Sequence, residues 1–162
     1  GTMGFALPAA IGAKLACPGK EVWVVAGDGG FQMNVQELMT LVQEGVKVDI
    51  AVINNGCLGM VRQWQELFYQ GRYAATPMLN PDFAKLARAY GVQGRAVSSL
   101  AEAAEAIAEA RAAEGPFLIE FRVEQETCVY PMVPVGASLH QMLRRGPTAP
   151  AGAESRHPSE EP

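Results

Sequence analysis

Asp28 and Asn55 are the residues best suited to chemistry in this chain of 162 residues. Asp28 lies in Gly27-Asp28-Gly29-Gly30, Asn55 follows Asn54, and twenty-four residues separate Gly29 from Asn54. A carboxylate and an amide oxygen suit a hard, octahedral cation such as Mg2+, which takes oxygen ligands and completes its shell with phosphate and water. Gly27, Gly29 and Gly30 carry no Cβ, so backbone N–H groups there can approach phosphate oxygens closely. The two loops together predict a magnesium diphosphate site, with Asp28 on the metal and the glycines around the phosphates.

Such a site requires elements that bring the loops together. Glu21 to Ala26 and Val48 to Ile53 are apolar, β-branched runs of the kind buried on both faces of a parallel sheet. Between them, Val35, Leu38, Met39 and Val42 recur at helical spacing from Val35 to Glu44, with Asn34 as N-cap, Gly45 as stop, and the helix N-terminus facing the phosphates. A right-handed crossover puts both strands parallel with their carboxyl ends on one edge, where open α/β sheets bind ligands. Taken singly, Gly-Asp-Gly-Gly is a turn and Asn55-Gly56 a hairpin signal. Here each follows a buried-strand run, and one crossover separates them.

The remaining pattern predicts an α/β fold with a mostly parallel sheet flanked by helices. One helix is expected from Leu7 to Ala16, and another from Pro81 to Tyr90 with Asn80 as N-cap and Gly91 past the end. A strand near Gly94 to Val97 leads to an Ala-rich helix from Leu100 to Ala113, with a Ser99/Glu102 capping box and an apolar face of Leu100, Ala104, Ile107 and Ala108. Phe117 to Val123 reads as a strand, and Tyr130 to Leu139 as irregular. Residues 1–145 form the expected domain, and 146–162, rich in Pro, Ala, Gly, Ser and Glu, a disordered tail.

Gly27-Asp28-Gly29 through Asn54-Asn55 resembles the signature of thiamine-diphosphate enzymes. Gly1-Thr2-Met3-Gly4-Phe5, Leu7-Pro8-Ala9-Ala10-Ile11-Gly12-Ala13, and Gly59-Met60-Val61-Arg62-Gln63-Trp64-Gln65 with Phe68-Tyr69 and Arg72-Tyr73 narrow the resemblance. From Gly1 to about Leu143 the chain is similar to the C-terminal cofactor domain of acetolactate (acetohydroxyacid) synthase catalytic subunits.

The resemblance implies Mg2+ held by the Asp28 carboxylate, the Asn55 side-chain oxygen and the main-chain carbonyl of Cys57. Gly1 and Met3 match the segment that holds the aminopyrimidine, with the Met3 side chain supporting the bent cofactor. Gly29, Gly30, Gly59 and Met60 match positions beside the diphosphate and thiazolium. Met60 and Trp64 match the substrate channel, although Met60, Trp64 and Leu67 by spacing alone read as a core stripe. Cys57 stands where relatives often carry a larger or polar residue, which leaves ligation through its carbonyl unaffected.

The implied reaction is decarboxylation of pyruvate and condensation with pyruvate or 2-ketobutyrate, giving 2-acetolactate or 2-aceto-2-hydroxybutyrate for branched-chain amino-acid synthesis. The expected assembly is a homodimer or tetramer with the active site shared between subunits, and a regulatory small subunit is a possible partner. The chain reads as a fragment, inactive alone, because the family's activating glutamate belongs to another domain; no catalytic residue is assigned here. FAD, where the parent enzyme carries it, is not bound mainly by this region. Two alternatives stay open: another thiamine-diphosphate 2-keto acid decarboxylase or carboligase, and a non-catalytic cofactor-binding module.

Composition agrees with this reading. A chain 49% hydrophobic can bury one substantial core, and a net charge of −4 without a basic run speaks against nucleic acid. Cys17, Cys57 and Cys128 fit neither a disulfide framework nor a zinc pattern and suit a reducing cytoplasm. No apolar run is long enough to span a membrane, and no secretory signal is present. Arg62, Arg72 and Arg95 can meet carboxylates or phosphates, although an isolated Arg is more often a solvated surface group, and His140 and His157 have no metal-ligand spacing.

Overall fold

The computed structural model describes residues 1–125 and 127–144. The apolar, β-branched runs become four parallel strands: β1 (Trp23–Gly27), β2 (Asp49–Asn54), β3 (Gln93–Val97) and β4 (Phe117–Arg122). They lie in the order β1-β2-β4-β3. Gly27 pairs with Ile53, so Asp28, just past β1, and Asn54-Asn55, at the end of β2, emerge side by side at the carboxyl edge.

Helices α1 (Ala6–Ala16), α2 (Asp28–Gln32), α3 (Glu37–Gln43), α4 (Gly59–Phe68), α5 (Phe83–Ala89) and α6 (Leu100–Ala112) complete the layers. One core joins Ile11, Phe31, Leu38, Leu41 and Phe83 to Val24, Ile50, Val52 and Leu118 of the sheet. The smaller core on the other face joins Ala106 and Ala110 to Val97, Phe117 and Ile119. A Cβ on Gly94 would lie 2.7 Å from the Ala84 carbonyl oxygen, so the bare glycine lets α5 rest directly on β3. Gly45 and Gly91, at φ of 61° and 84°, close α3 and α5 in the left-handed region that glycine adopts without strain.

Several expectations are corrected. A short helix, α2, begins inside the Gly-Asp-Gly-Gly motif despite two helical glycines, and α3 starts only at Glu37. Asn34 caps neither; its Nδ2 donates to the Gly4 carbonyl at 2.7 Å and ties the N-terminal loop to the motif. Met39 faces outward, whereas Leu38 and Leu41 are buried. Asn80 is not the cap of α5, because Asp82 takes that place by accepting from the Lys85 N–H at 2.8 Å.

The Ala-rich helix is capped by Ser99 and Glu102 as expected, but its buried face is Ala106 and Ala110 with half-buried Ala103. Leu100 is 92% exposed and Ile107 38%. Alanine lets the helix axis approach the sheet closely, and that closeness outweighs the larger apolar area of Leu100 and Ile107. The expected disordered tail, 146–162, lies outside the described residues, as does His157. No helix among the described residues is long and apolar enough to cross a membrane.

Candidate cofactor site

Asp28 is the first residue of α2, directly past the end of β1, and only 2% exposed. Its Oδ1 accepts from the Gly29 N–H at 2.9 Å. Its Oδ2 accepts from the Gly56 N–H at 3.0 Å and from Asn80 Nδ2 at 2.6 Å. The Gly56 bond joins the two motif loops directly.

The adjacent asparagines do different things. Asn54 points into the protein: its Oδ1 accepts from Gly56 N–H at 3.1 Å and Asn80 Nδ2 at 2.8 Å, while its Nδ2 donates to Glu120 Oε1 at 2.8 Å. Asn55 belongs to the loop, where its Oδ1 accepts from the Cys57 N–H at 3.2 Å. A Cβ on Gly59 would lie 2.9 Å from Asn55 Nδ2, so the bare glycine lets α4 begin under that amide without displacing it. Residues 56–58 are further held against 76–78 by Leu58 N–H to Thr76 O at 2.9 Å and Met78 N–H to Gly56 O at 2.8 Å. Cys57, 2% exposed, keeps its thiol buried.

Beside these loops lies a cleft of about 350 Å³. Gly1, Met3, Gly27, Asp28, Gly29, Gly30, Cys57, Gly59 and Met60 all line it. Met3 and Met60, 43% and 52% exposed, present soft apolar side chains to the opening. A Cβ on Gly29 would stand 2.7 Å from Leu58 Cδ2 and 3.4 Å from Met3 Cε, so the bare glycine allows the three segments to converge.

Asn55 and Trp64 are not among the residues lining the cleft. Trp64 is half-buried on α4 and packs edge-on against Phe68, with ring centroids 5.4 Å apart. The helix expected to aim its N-terminus at a phosphate is replaced by α2, which has only five residues. An anion bound there would rest on individual N–H groups of the glycine loop rather than on a long helix dipole.

The donor chemistry suits a hard cation. A carboxylate offers about four lone-pair positions; three on Asp28 are occupied by described residues, and the fourth, on Oδ1, takes no hydrogen bond from them. Among the described residues no Lys, Arg or His forms an ion pair with Asp28. Nor is there among them a group of three or more His, Cys, Asp or Glu able to cage a metal. A divalent ion here would depend on Asp28, amide and carbonyl oxygens, and oxygens brought by a phosphate.

The family described as "Thiamine pyrophosphate enzyme, C-terminal TPP binding domain" matches residues 1–121. The chain belongs to that family. As a thiamine-diphosphate-binding domain it is 51% identical, over 85% of its length, to acetolactate synthase of Mycobacterium bovis, and 43% identical, over 90%, to the acetolactate synthase isozyme 2 large subunit of Escherichia coli K12. It spans only about a quarter of those relatives, 23% and 27% respectively. Among solved structures, a thiamine diphosphate-dependent 4-hydroxybenzoylformate decarboxylase of Rhodococcus jostii RHA1 is similar at a TM-score of 0.72 and 36% identity, covering 75% of this chain and 23% of that one.

Three residues of this family member were not singled out from sequence. Asn80 holds both motif loops. Glu120, 2% exposed, supports Asn54, accepts from Arg122 Nε at 3.1 Å and leaves Oε2 without a partner among the described residues. An acid inside the apolar run Phe117 to Val123 was the signal that could have revealed it. Gln63, also 2% exposed, donates to the Val129 carbonyl at 2.9 Å and accepts from the Val129 N–H at 2.8 Å, seating the C-terminal segment on α4. Beside it, burial and then the Glu66 carboxylate hold the Cys128 thiol above its ordinary pKa.

Of the three arginines weighed from sequence, Arg62 and Arg95 meet carboxylates and Arg72 a carbonyl. Arg62 meets Glu66 at 3.3 Å and lies over the Tyr73 ring. Arg95 joins Glu105 and Glu109, and Arg72 donates to the Tyr69 carbonyl.

Proposed function

We propose that this chain is the magnesium- and diphosphate-holding part of a carboligase that decarboxylates pyruvate and condenses the product with pyruvate or 2-ketobutyrate. The products are 2-acetolactate and 2-aceto-2-hydroxybutyrate, precursors of branched-chain amino acids. The observation that carries this reading is the 3.0 Å bond from Gly56 N–H to the buried Asp28 carboxylate, which joins the two motif loops beside the cleft. The acetolactate synthase relatives give the choice of reaction its support.

Bound thiamine diphosphate supplies the electron sink for decarboxylation. The chain's own residues bind and orient. Asp28, the Asn55 side-chain oxygen and the Cys57 carbonyl hold Mg2+, while Gly27, Gly29, Gly30 and Gly59 leave backbone room around the diphosphate. Gly1 and Met3 hold the ring end. Met60 at the opening and Trp64 one turn along α4 border the substrate channel. The activating carboxylate comes from another domain, across a dimer or tetramer interface, and the parent protein works in the cytoplasm with a regulatory small subunit and, where present, FAD bound elsewhere.

Product analysis of the full-length protein tests the reaction. Acetolactate from pyruvate is expected; an aldehyde as the only product transfers the chain to the decarboxylases, a second reading favoured by the Rhodococcus likeness. Cofactor affinity without turnover leaves a non-catalytic module. Trp64→Leu is expected to shift the ratio of 2-ketobutyrate to pyruvate products severalfold, and an unchanged ratio removes Trp64 from the channel.

A further inference from the structure

We infer that Asn80, outside both motif loops, is the positioning residue that sets the metal affinity of the site; this rests on the Asp28 metal reading above. An amide nitrogen carries two hydrogens. Both are used: Nδ2 donates to Asp28 Oδ2 at 2.6 Å and to Asn54 Oδ1 at 2.8 Å. One group therefore staples the loop after β1 to the loop after β2. Its own orientation is set from the other end, because Asn80 Oδ1 accepts from Gln32 Nε2 at 2.8 Å and a flipped amide would lose all three bonds.

The bonding pattern decides which part of Asp28 meets a cation. Gly56 and Asn80 together fill both acceptor positions of Oδ2, whereas among the described residues Oδ1 has only the Gly29 N–H. The carboxylate is thus presented through Oδ1 alone, by one lone pair in a fixed direction. Without Asn80, Oδ2 regains an acceptor position, the carboxylate can rotate toward it, and the Asn54-Asn55 loop keeps only the Gly56 link to Asp28. Groups that orient a metal ligand in this way typically change metal affinity by about 10- to 100-fold.

The test uses the full-length protein and Mn2+ as probe. Metal-dependent thiamine diphosphate binding is followed by calorimetry, and bound Mn2+ by electron paramagnetic resonance, so neither readout depends on turnover. Asn80→Ala is expected to raise half-saturating Mn2+ about tenfold or more, with cofactor binding restored at high metal. A fault of folding alone is not restored by metal. Gln32→Leu, which leaves Asn80 in place but removes the bond orienting its amide, is expected to raise half-saturation about two- to fivefold, well under the effect of removing the group, and carries the test should Asn80→Ala not fold. Half-saturation within about twofold of wild type in a folded Asn80→Ala, while Asp28→Ala loses binding, overturns the inference alone. Retained metal dependence in Asp28→Ala overturns the site reading and the inference with it.

Discussion

Two buried aspartates, each 2% exposed, stand at opposite ends of neighbouring strands and are treated differently. Asp49, at the start of β2, has its own cation: Lys47 Nζ lies 2.6 Å from Oδ1 and also donates to the Ala110 carbonyl. Asp28, past the end of β1, receives from the described residues only neutral N–H groups, those of Gly29, Gly56 and Asn80. Dipoles solvate a charge but do not cancel it. The Asp49 end is electrically complete, and the Asp28 end keeps a net negative charge that a metal ion can neutralise.

The contrast can be broken most sharply at Asp28. Asp28→Asn keeps the shape, removes the charge, and is expected to weaken metal-dependent cofactor binding at least about 100-fold by calorimetry, consistent with the strength of charged contacts to a buried group. Asp49→Asn should leave that affinity unchanged; a matching loss there would erase the distinction between the two ends. Lys47→Met leaves the Asp49 charge buried alone and should cost about 2–3 kcal/mol in denaturant unfolding. That is below the loss for a fully enclosed pair, since the Lys47 side chain remains 22% exposed.

Glu120→Ala tests the support beneath the Asp28 end. Asn54 Nδ2 loses its one acceptor among the described residues, and about 1–3 kcal/mol of stability should go with it. A change below about 0.5 kcal/mol would mean that Asn54 finds another partner.

The smallest effect is in pH. Burial raises the Asp49 carboxyl above its ordinary 3.8, against the opposing pull of Lys47. Its contribution to stability is present below pH 3.8 and lost as pH rises through the raised value. Glu102 behaves oppositely: bonds from the Ser98 N–H and then Ser99 lower its carboxyl from 4.5, so its contribution is present above pH 4.5 and lost as pH falls through the lowered value. Thermal midpoints of Asp49→Asn and Glu102→Gln, compared with wild type from neutral to acid, should diverge with opposite slopes.

How much of this was legible depends on the range of the cause. The strand runs, the single crossover and the meeting of Asp28 with the Asn54-Asn55 loop follow from local pattern and chain handedness. So does the Ser99/Glu102 capping box, a signal contained in four residues. Asn80 escaped because it lies 52 residues from Asp28, and because Asn80-Pro81-Asp82 looks like a helix start whichever residue caps it. The helical glycines of α2 contradict propensity; Gly29 is explained by its close packing against Leu58, Met78 and Met3, whereas a Cβ on Gly30 would meet only the Gly4 nitrogen at 4.0 Å. The face of the Ala-rich helix was misread because hydrophobicity points to Leu100 and Ile107, whereas axis-to-sheet distance selects the alanines.

The Gln63 amide offers Val129 the donor and acceptor that a neighbouring strand would offer. It grips the peptide group and not the side chain, and Val129 itself is 63% exposed. The grip at position 129 therefore does not depend on the side chain there, and proline alone would break it, having no N–H to give. Gln63 thus holds the C-terminal segment through its backbone, while Gln125, bonded to the Gly56 carbonyl, and Cys128, against Glu66, hold it through their side chains.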